Sequence, residues 1–178
     1  MPKIVITGGP CTGKTTLLND LGKLGFNTVH EASRKIIDEE QKKENGVLPW
    51  TDAEQFEVLV KQMQMGNETN LTSETIHFLD RGLGDILAYC DFLNIPHTEG
   101  VKQLSLPPRY EKVLLLEPLE IFENDDVRKE SLEEGRKIHE FIEKAYTGLG
   151  YEVVKVPPLG KKERLDWVLK QLNLVKQS

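Results

Sequence analysis

The chain has 178 residues, of which 38% are hydrophobic and 29% charged, and it carries a net charge of −6. That length suits one domain, here residues 1–178, with enough chain for a sizeable core, and the composition excludes an intrinsically disordered polymer. The acidic balance argues against broad, nonspecific binding to nucleic acid or anionic membrane, so any affinity for phosphate must be built locally.

The first residues, Lys3 to Thr16 (KIVITGGPCTGKTT), carry the strongest signal. Ile4, Val5 and Ile6 form a β-branched run suited to a buried parallel strand, and Leu17, Leu18, Leu21 and Leu24 recur at helical spacing. Between them, Gly8, Gly13, Lys14 and Thr15 match the phosphate-binding loop G-x-x-x-x-G-K-[ST] in its required strand-to-helix context. A triphosphate needs many donors brought close without a steric wall. Glycines let successive N–H groups face inward at the positive end of the following helix dipole. Gly8, Gly9, Pro10, Cys11, Thr12, Gly13, Lys14, Thr15 and Thr16 are therefore the expected cradle for ATP and Mg²⁺, with Lys14 on the β- and γ-phosphates and the Thr15 hydroxyl on the metal.

After Gly25, Phe26 to His30 reads as a second strand leading into a helix from Glu31 to about Lys43, which places Glu31 and Arg34 at a strand's carboxyl end, where open α/β sheets bind ligands. Gln41 to Pro49 reads as a loop, and Thr51 with Glu54 as a capping box opening a helix that runs to about Leu71. Trp50 admits two readings, a core anchor at the helix start or the wall of a substrate pocket, of which the first is the commoner use. Thr75 to Leu79 is the third strand. Asp80 follows it in the Walker-B manner, a carboxylate that orients Mg²⁺ directly or through water, with Arg81 beside it.

A helix through Leu83, Ile86, Leu87, Cys90 and Leu93 follows, then an irregular stretch from Val101 to Arg109. Glu111 to Leu116 is a fourth strand. Glu120 to Glu134 is densely charged and reads as a solvated segment, after which Ser131 and Glu134 can cap a helix with Ile138, Phe141, Ile142 and Ala145 inward. His139 on that helix reads as surface or packing. Tyr151 to Val156 is a fifth strand, and a final amphipathic helix follows. Alternating strands and helices imply a mainly parallel sheet with helices on both faces. Cys11 and Cys90 supply neither a disulfide framework nor metal-ligand spacing. No apolar run reaches the ~20 residues of a membrane span, and no signal-peptide pattern precedes the first motif, so a cytoplasmic protein is expected.

With these motifs in hand, the chain resembles the P-loop kinase-like branch of nucleoside triphosphate-binding proteins. More narrowly, it resembles the predicted ATPases grouped with the ribosylnicotinamide kinase domain of bacterial NAD-biosynthesis regulators. The resemblance rests on GGPCTGKTT, HEASR, FLDRG, an arginine-bearing charged segment, and Gly-Tyr before the last strand, taken in that order. It implies a three-layer fold with five strands ordered 2-3-1-4-5 and a lid at about residues 120–137. It also implies roles: Glu31 as the carboxylate accepting a substrate hydroxyl proton, Asp80 as the magnesium-orienting residue, Arg81 on phosphate or holding the base, and Arg128 and Arg136 as lid cations on the transferring phosphoryl group. Arg34, placed beside Glu31 by its position, either binds the acceptor or pairs with a carboxylate on its own helix.

The expected function is transfer of the γ-phosphate of ATP to a nucleoside- or nucleotide-like acceptor. The main alternative is a nucleotide-dependent regulatory ATPase or GTPase-like switch with no metabolite acceptor. No N-K-x-D or L-S-G-G-Q motif is present, which argues against Ras-type GTPases and ABC-type ATPases. A nucleic-acid 5′-kinase is disfavoured by the net charge.

Overall fold

The computed structural model describes residues 2–71, 74–119 and 132–174. Five strands alternate with helices: β1 (Lys3–Thr7), α1 (Lys14–Lys23), β2 (Asn27–Val29), α2 (Ala32–Glu40), α3 (Ala53–Thr69), β3 (His77–Asp80), α4 (Leu83–Leu93), α5 (Val101–Ser105), β4 (Lys112–Leu116), α6 (Leu132–Gly148), β5 (Val153–Val156) and α7 (Lys161–Gln171). The strands hydrogen-bond in the order β2-β3-β1-β4-β5, and all four neighbouring pairs are parallel. This is the three-layer architecture expected. No helix among the described residues is long and apolar enough to cross a membrane.

The alternation within each strand builds two cores. On one face, Ile4, Ile6, Phe78, Leu114 and Leu116 meet Leu17, Leu18 and Leu21 of α1 and Val168 of α7. On the other, Val5, Leu79, Val113 and Leu115 meet α2, α3, α4 and α6 through Ile36, Phe56, Leu83, Ile86 and Ile142. A strand buried on both faces has no use for polar alternation, which is why these segments read as continuous apolar runs. The register sets Ile6 opposite Asp80 and Val29 opposite Leu79. The loop after β1, Asp80 and the β2 exit at Glu31 therefore leave the sheet along one edge, at its carboxyl end.

Several local expectations shift. The N-cap of α3 is Asp52, whose side chain accepts from the Gln55 amide, while the Thr51 hydroxyl turns back to accept from the Leu48 amide. Thr51 and Asp52 both suit a cap, and the chain uses the residue one turn-bond closer to the helix. The stretch read as irregular contains α5, a short helix started by Gly100 in the left-handed conformation. The proposed cap at Ser131 lies outside the described residues.

The start of α4 is held by close approach. A Cβ on Gly84 would lie 2.6 Å from the ring of Tyr146, which α6 presses onto this turn. In an ordinary exposed helix, Gly→Ala gains about 1 kcal/mol. Here Gly84→Ala is expected to lose ~1–3 kcal/mol instead, because overpacking outweighs propensity. Urea unfolding of the variant measures the sign directly.

Candidate functional site

The loop from Gly8 to Thr16 wraps around the Lys14 ammonium, which donates to the carbonyl oxygens of Gly8 (3.1 Å) and Gly9 (2.8 Å). The Thr12 hydroxyl ties the loop to itself through the Gly9 carbonyl at 3.1 Å. Gly13 caps α1 in the left-handed conformation, and the helix N-terminus opens directly behind it. Thr16 is exposed on the first turn of α1. The arrangement joins backbone donors, a helix N-terminus and a buried cation in one concavity, which is the chemistry of polyphosphate binding.

Two residues that sequence reasoning did not assign to the site also grip this loop. His139 of α6 is buried, and its Nδ1 accepts the Gly9 N–H at 3.3 Å. The contact is possible because Gly9 has no side chain: a Cβ there would sit 2.6 Å from the Gly135 carbonyl oxygen. Arg164 of α7, also buried, donates to the Thr12 carbonyl. A lone histidine and a lone arginine at helical spacing carry no motif, so only the tertiary contact reveals them.

Asp80 ends β3 and is buried. Its Oδ2 accepts from the Thr15 hydroxyl at 3.3 Å, whereas Oδ1 is buried with no hydrogen-bond partner. Burial raises its pKa; Lys14 and Arg81 oppose that shift, and Glu31 and Asp85 add to it. An unsatisfied carboxylate oxygen beside a hydroxyl, at the foot of a phosphate loop, suits a hard cation. The described residues contain no group of three His, Cys, Asp or Glu side chains able to hold a metal by themselves. One carboxylate and one hydroxyl are a donor set that fits Mg²⁺, which takes one or two carboxylates and completes its shell with phosphate oxygens and water.

Arg81 is the centre of the polar site. Its backbone is left-handed at φ 72, a sparsely populated conformation for a residue with a Cβ, and its amide donates to the Ile6 carbonyl at 3.0 Å. Nε donates to Glu31 Oε1 (2.8 Å), Nη1 to Asp85 Oδ1 (2.9 Å) and Nη2 to the Tyr89 hydroxyl (3.1 Å). Burial disfavours the guanidinium charge, but Tyr89, Glu31, Asp85 and Asp80 more than offset it, so its pKa rises above the usual arginine value. Asp85 is anchored in turn by the hydroxyls of Thr7 (2.6 Å) and Tyr146 (2.7 Å) and by the Gly82 amide (3.0 Å). Sequence reasoning missed Asp85; its position four residues after Arg81 on a helix was the available signal.

Glu31, Arg34 and Arg81 line a cavity of about 350 Å³ that reaches the phosphate loop at Pro10. Trp50 lines it too and is 51% exposed, so the core reading of that residue is corrected in favour of a pocket wall. The staple expectation failed because the N-cap is Asp52, which leaves Trp50 on the loop rather than over the helix. Glu57 of α3 lines the same cavity while 5% exposed, and burial pushes its pKa up to about 8 against the pull of Arg81. Arg34 is exposed at the cavity wall. Arg136 is exposed on α6 and is not among the lining residues, and Arg128 lies outside the described residues.

A family model described as an AAA domain matches residues 3–164, so the chain belongs to that family. No curated protein matches the sequence. Deoxyadenosine kinase from M. mycoides superposes with a TM-score of 0.64 at 16% identity, covering 98% of this chain and 100% of that one. Thymidylate kinase from Ehrlichia chaffeensis gives 0.64 at 13% identity over 97% and 98%. Shikimate kinase from Aquifex aeolicus gives 0.59 at 17% identity over 96% of each chain. These likenesses establish the P-loop kinase-like fold.

The His139 contact has a pH signature. Burial lowers its pKa below the ordinary value of about 6.5, outweighing the pull of Glu117 and Glu143 toward the charged form. The folded chain thus resists a proton that the unfolded chain accepts. The stability tied to neutral His139 is complete above about pH 6.5 and is lost as pH falls through the lower folded value. Denaturant titrations at pH 7 and pH 5 should therefore find a larger loss for the unmodified chain than for His139→Gln. Equal losses would refute the linkage.

Proposed function

We propose that this member of the AAA-domain family is an ATP-dependent small-molecule kinase that transfers the γ-phosphoryl group to a hydroxyl of a nucleoside- or nucleotide-like acceptor. The observation that carries this reading is that Glu31, fixed by Arg81, and the phosphate loop open onto one cavity. A switch that only binds and releases a nucleotide has no need of a carboxylate at the mouth of a second pocket.

In this reading the loop from Gly8 to Thr16, with Lys14, holds the triphosphate. Thr15 and Asp80 would hold Mg²⁺, which supplies charge neutralisation at the β- and γ-phosphate oxygens. Glu31 takes the proton of the acceptor hydroxyl as its oxygen bonds to the γ-phosphorus and the bridging bond to ADP breaks. Arg81 holds Glu31 in place and Arg34 borders the acceptor. Arg136, in the first turns of α6, and Arg128, outside the described residues, would bring cations to the transferring group. Phosphoryl transfer is mostly positioning and charge stabilisation, so one well-held carboxylate amid cations suffices. The solved kinases of the same fold support the assignment at the level of reaction class.

Glu31→Gln should lower acceptor-dependent turnover by ~10²-fold or more while leaving ATP affinity nearly unchanged. The assay is ADP release with and without a panel of nucleosides, nucleotides and other small hydroxyl compounds. Hydrolysis that ignores every acceptor would sink the kinase reading and favour the switch.

A further inference from the structure

Glu57 touches neither the phosphate loop nor the Arg81 hydrogen-bond network. It is buried on α3, between Phe56 and Val60, and lines the cavity together with Tyr89 and Trp50. Among the described residues its carboxyl makes no hydrogen bond and no ion pair. Its oxygens are not among the fully enclosed polar atoms left without a partner, so they open onto the cavity, where a ligand can reach them. Its neighbours do not fill that place. The Arg81 guanidinium is committed to Glu31, Asp85 and Tyr89 through all three of its nitrogens.

We propose that Glu57 is the specificity-determining residue of this cavity and that it selects an unphosphorylated, neutral nucleoside by pairing with the donor–acceptor edge of its base. The inference rests on the cavity being the acceptor site of the proposed kinase. Three features carry it. The volume of about 350 Å³ lies at the lower end of the ~300–1,000 Å³ range of small-molecule pockets. The aromatic walls, Phe56, Tyr89, Phe92 and Trp50, suit a flat ring. The charge on the lining is acidic: Glu31, Asp38, Asp85 and Glu134 oppose only Arg34 and Arg81, even with Glu57 uncharged, which disfavours a phosphorylated acceptor.

The protonation of Glu57 fits this use. Facing it are Arg81 from the turn after β3, Asp85 and Cys90 from α4, Glu31, Arg34 and Asp38 from the β2 exit and α2, and Glu134 from α6. With its pKa pushed up to about 8 by burial, the carboxyl is neutral at pH 7 and offers an O–H donor beside a C=O acceptor. That pair matches the amino and ring-nitrogen edge of adenine or cytosine, and a site built to pair such an edge rejects ligands lacking it. The same shift lowers stability with rising pH. The folded chain holds a proton the unfolded chain releases, so the contribution is complete below about pH 4.5 and is lost as pH climbs toward 8.

Calorimetric titration without ATP tests the proposal, with adenosine and cytidine, whose bases do not titrate between pH 7 and 9, and their 5′-monophosphates as probes. Binding of at least one nucleoside is expected, tighter than its monophosphate and weakening by about tenfold from pH 7 to pH 9 as the neutral fraction of Glu57 falls. Glu57→Gln, which keeps a donor beside an acceptor, should bind within a few-fold and lose the pH dependence; Glu57→Leu should lose at least tenfold. Failure of both nucleosides to bind, tighter binding of the monophosphates, or a pH-independent affinity would overturn it. Should Glu57→Leu fail to fold, the comparison of the unmodified chain with Glu57→Gln decides, and the melting-temperature gain of Glu57→Gln should be larger at pH 8 than at pH 5. Nucleoside binding with these signatures but no acceptor-stimulated ADP release would remove the kinase reading and leave Glu57 standing. Transfer undiminished in Glu57→Leu would do the reverse.

Discussion

The site is organised around one buried cation. The Arg81 guanidinium sits 7% exposed beneath the carboxyl edge of the sheet, and taking such a charge out of water is tolerable only when every face of it is answered. Two carboxylates, a phenol hydroxyl and an aromatic ring answer it, the ring of Tyr89 lying 5.2 Å from the guanidinium carbon. Those groups come from two places: Glu31 from the β2 exit, Asp85 and Tyr89 from α4. The left-handed backbone at Arg81 is the local cost of turning the chain sharply enough, straight after Asp80, to send this side chain back into the network. Losing any partner would leave a buried charge unmatched, so the network fixes Glu31 more firmly than an exposed ion pair could.

The phosphate loop is held with comparable firmness by elements far away in sequence. α6 meets it through His139 and the Gly135 carbonyl, and α7 through Arg164. α6 also carries Tyr146, which bonds Asp85 in the Arg81 network. One rigid helix therefore touches both the phosphate loop and Asp85, the carboxylate that bonds the Arg81 guanidinium. Whatever shifts the start of α6 is felt in both places, because the contacts lie on one face of a single element rather than on a chain of loose intermediates.

Much of this was legible in the sequence, and the reason is physical. The phosphate loop, the strand-ending Asp80 and the Glu31 exit are local patterns, since a tight glycine turn and a buried strand are specified within a few residues. The parallel order of the sheet followed from alternation of strands and helices, together with resemblance. Illegible were the pairings that sequence distance hides. Thr7 with Asp85, Gly9 with His139 and Asp85 with Tyr146 join positions 78, 130 and 61 residues apart. Trp50 misled because an aromatic before a helix usually folds onto it, and only the location of the cap at Asp52 decides which way it points.

Four carboxyl groups crowd this edge, and environment alone separates them. Asp80 is buried beside Lys14 with one oxygen unmatched, the state in which a carboxylate attracts a metal. Asp85 is saturated by Thr7, Tyr146, Gly82 and Arg81 and has nothing left to offer a ligand, so its work is structural. Glu31 lies at the rim of the cavity, bonded to the Arg81 guanidinium at 2.8 Å and lining the space a ligand would fill, a placement that suits a proton acceptor. Glu57, desolvated on the cavity wall, is pushed toward the neutral form, in which it can donate. Identical chemistry at the level of the residue thus yields four different groups, divided by how much water and how much positive charge each is allowed.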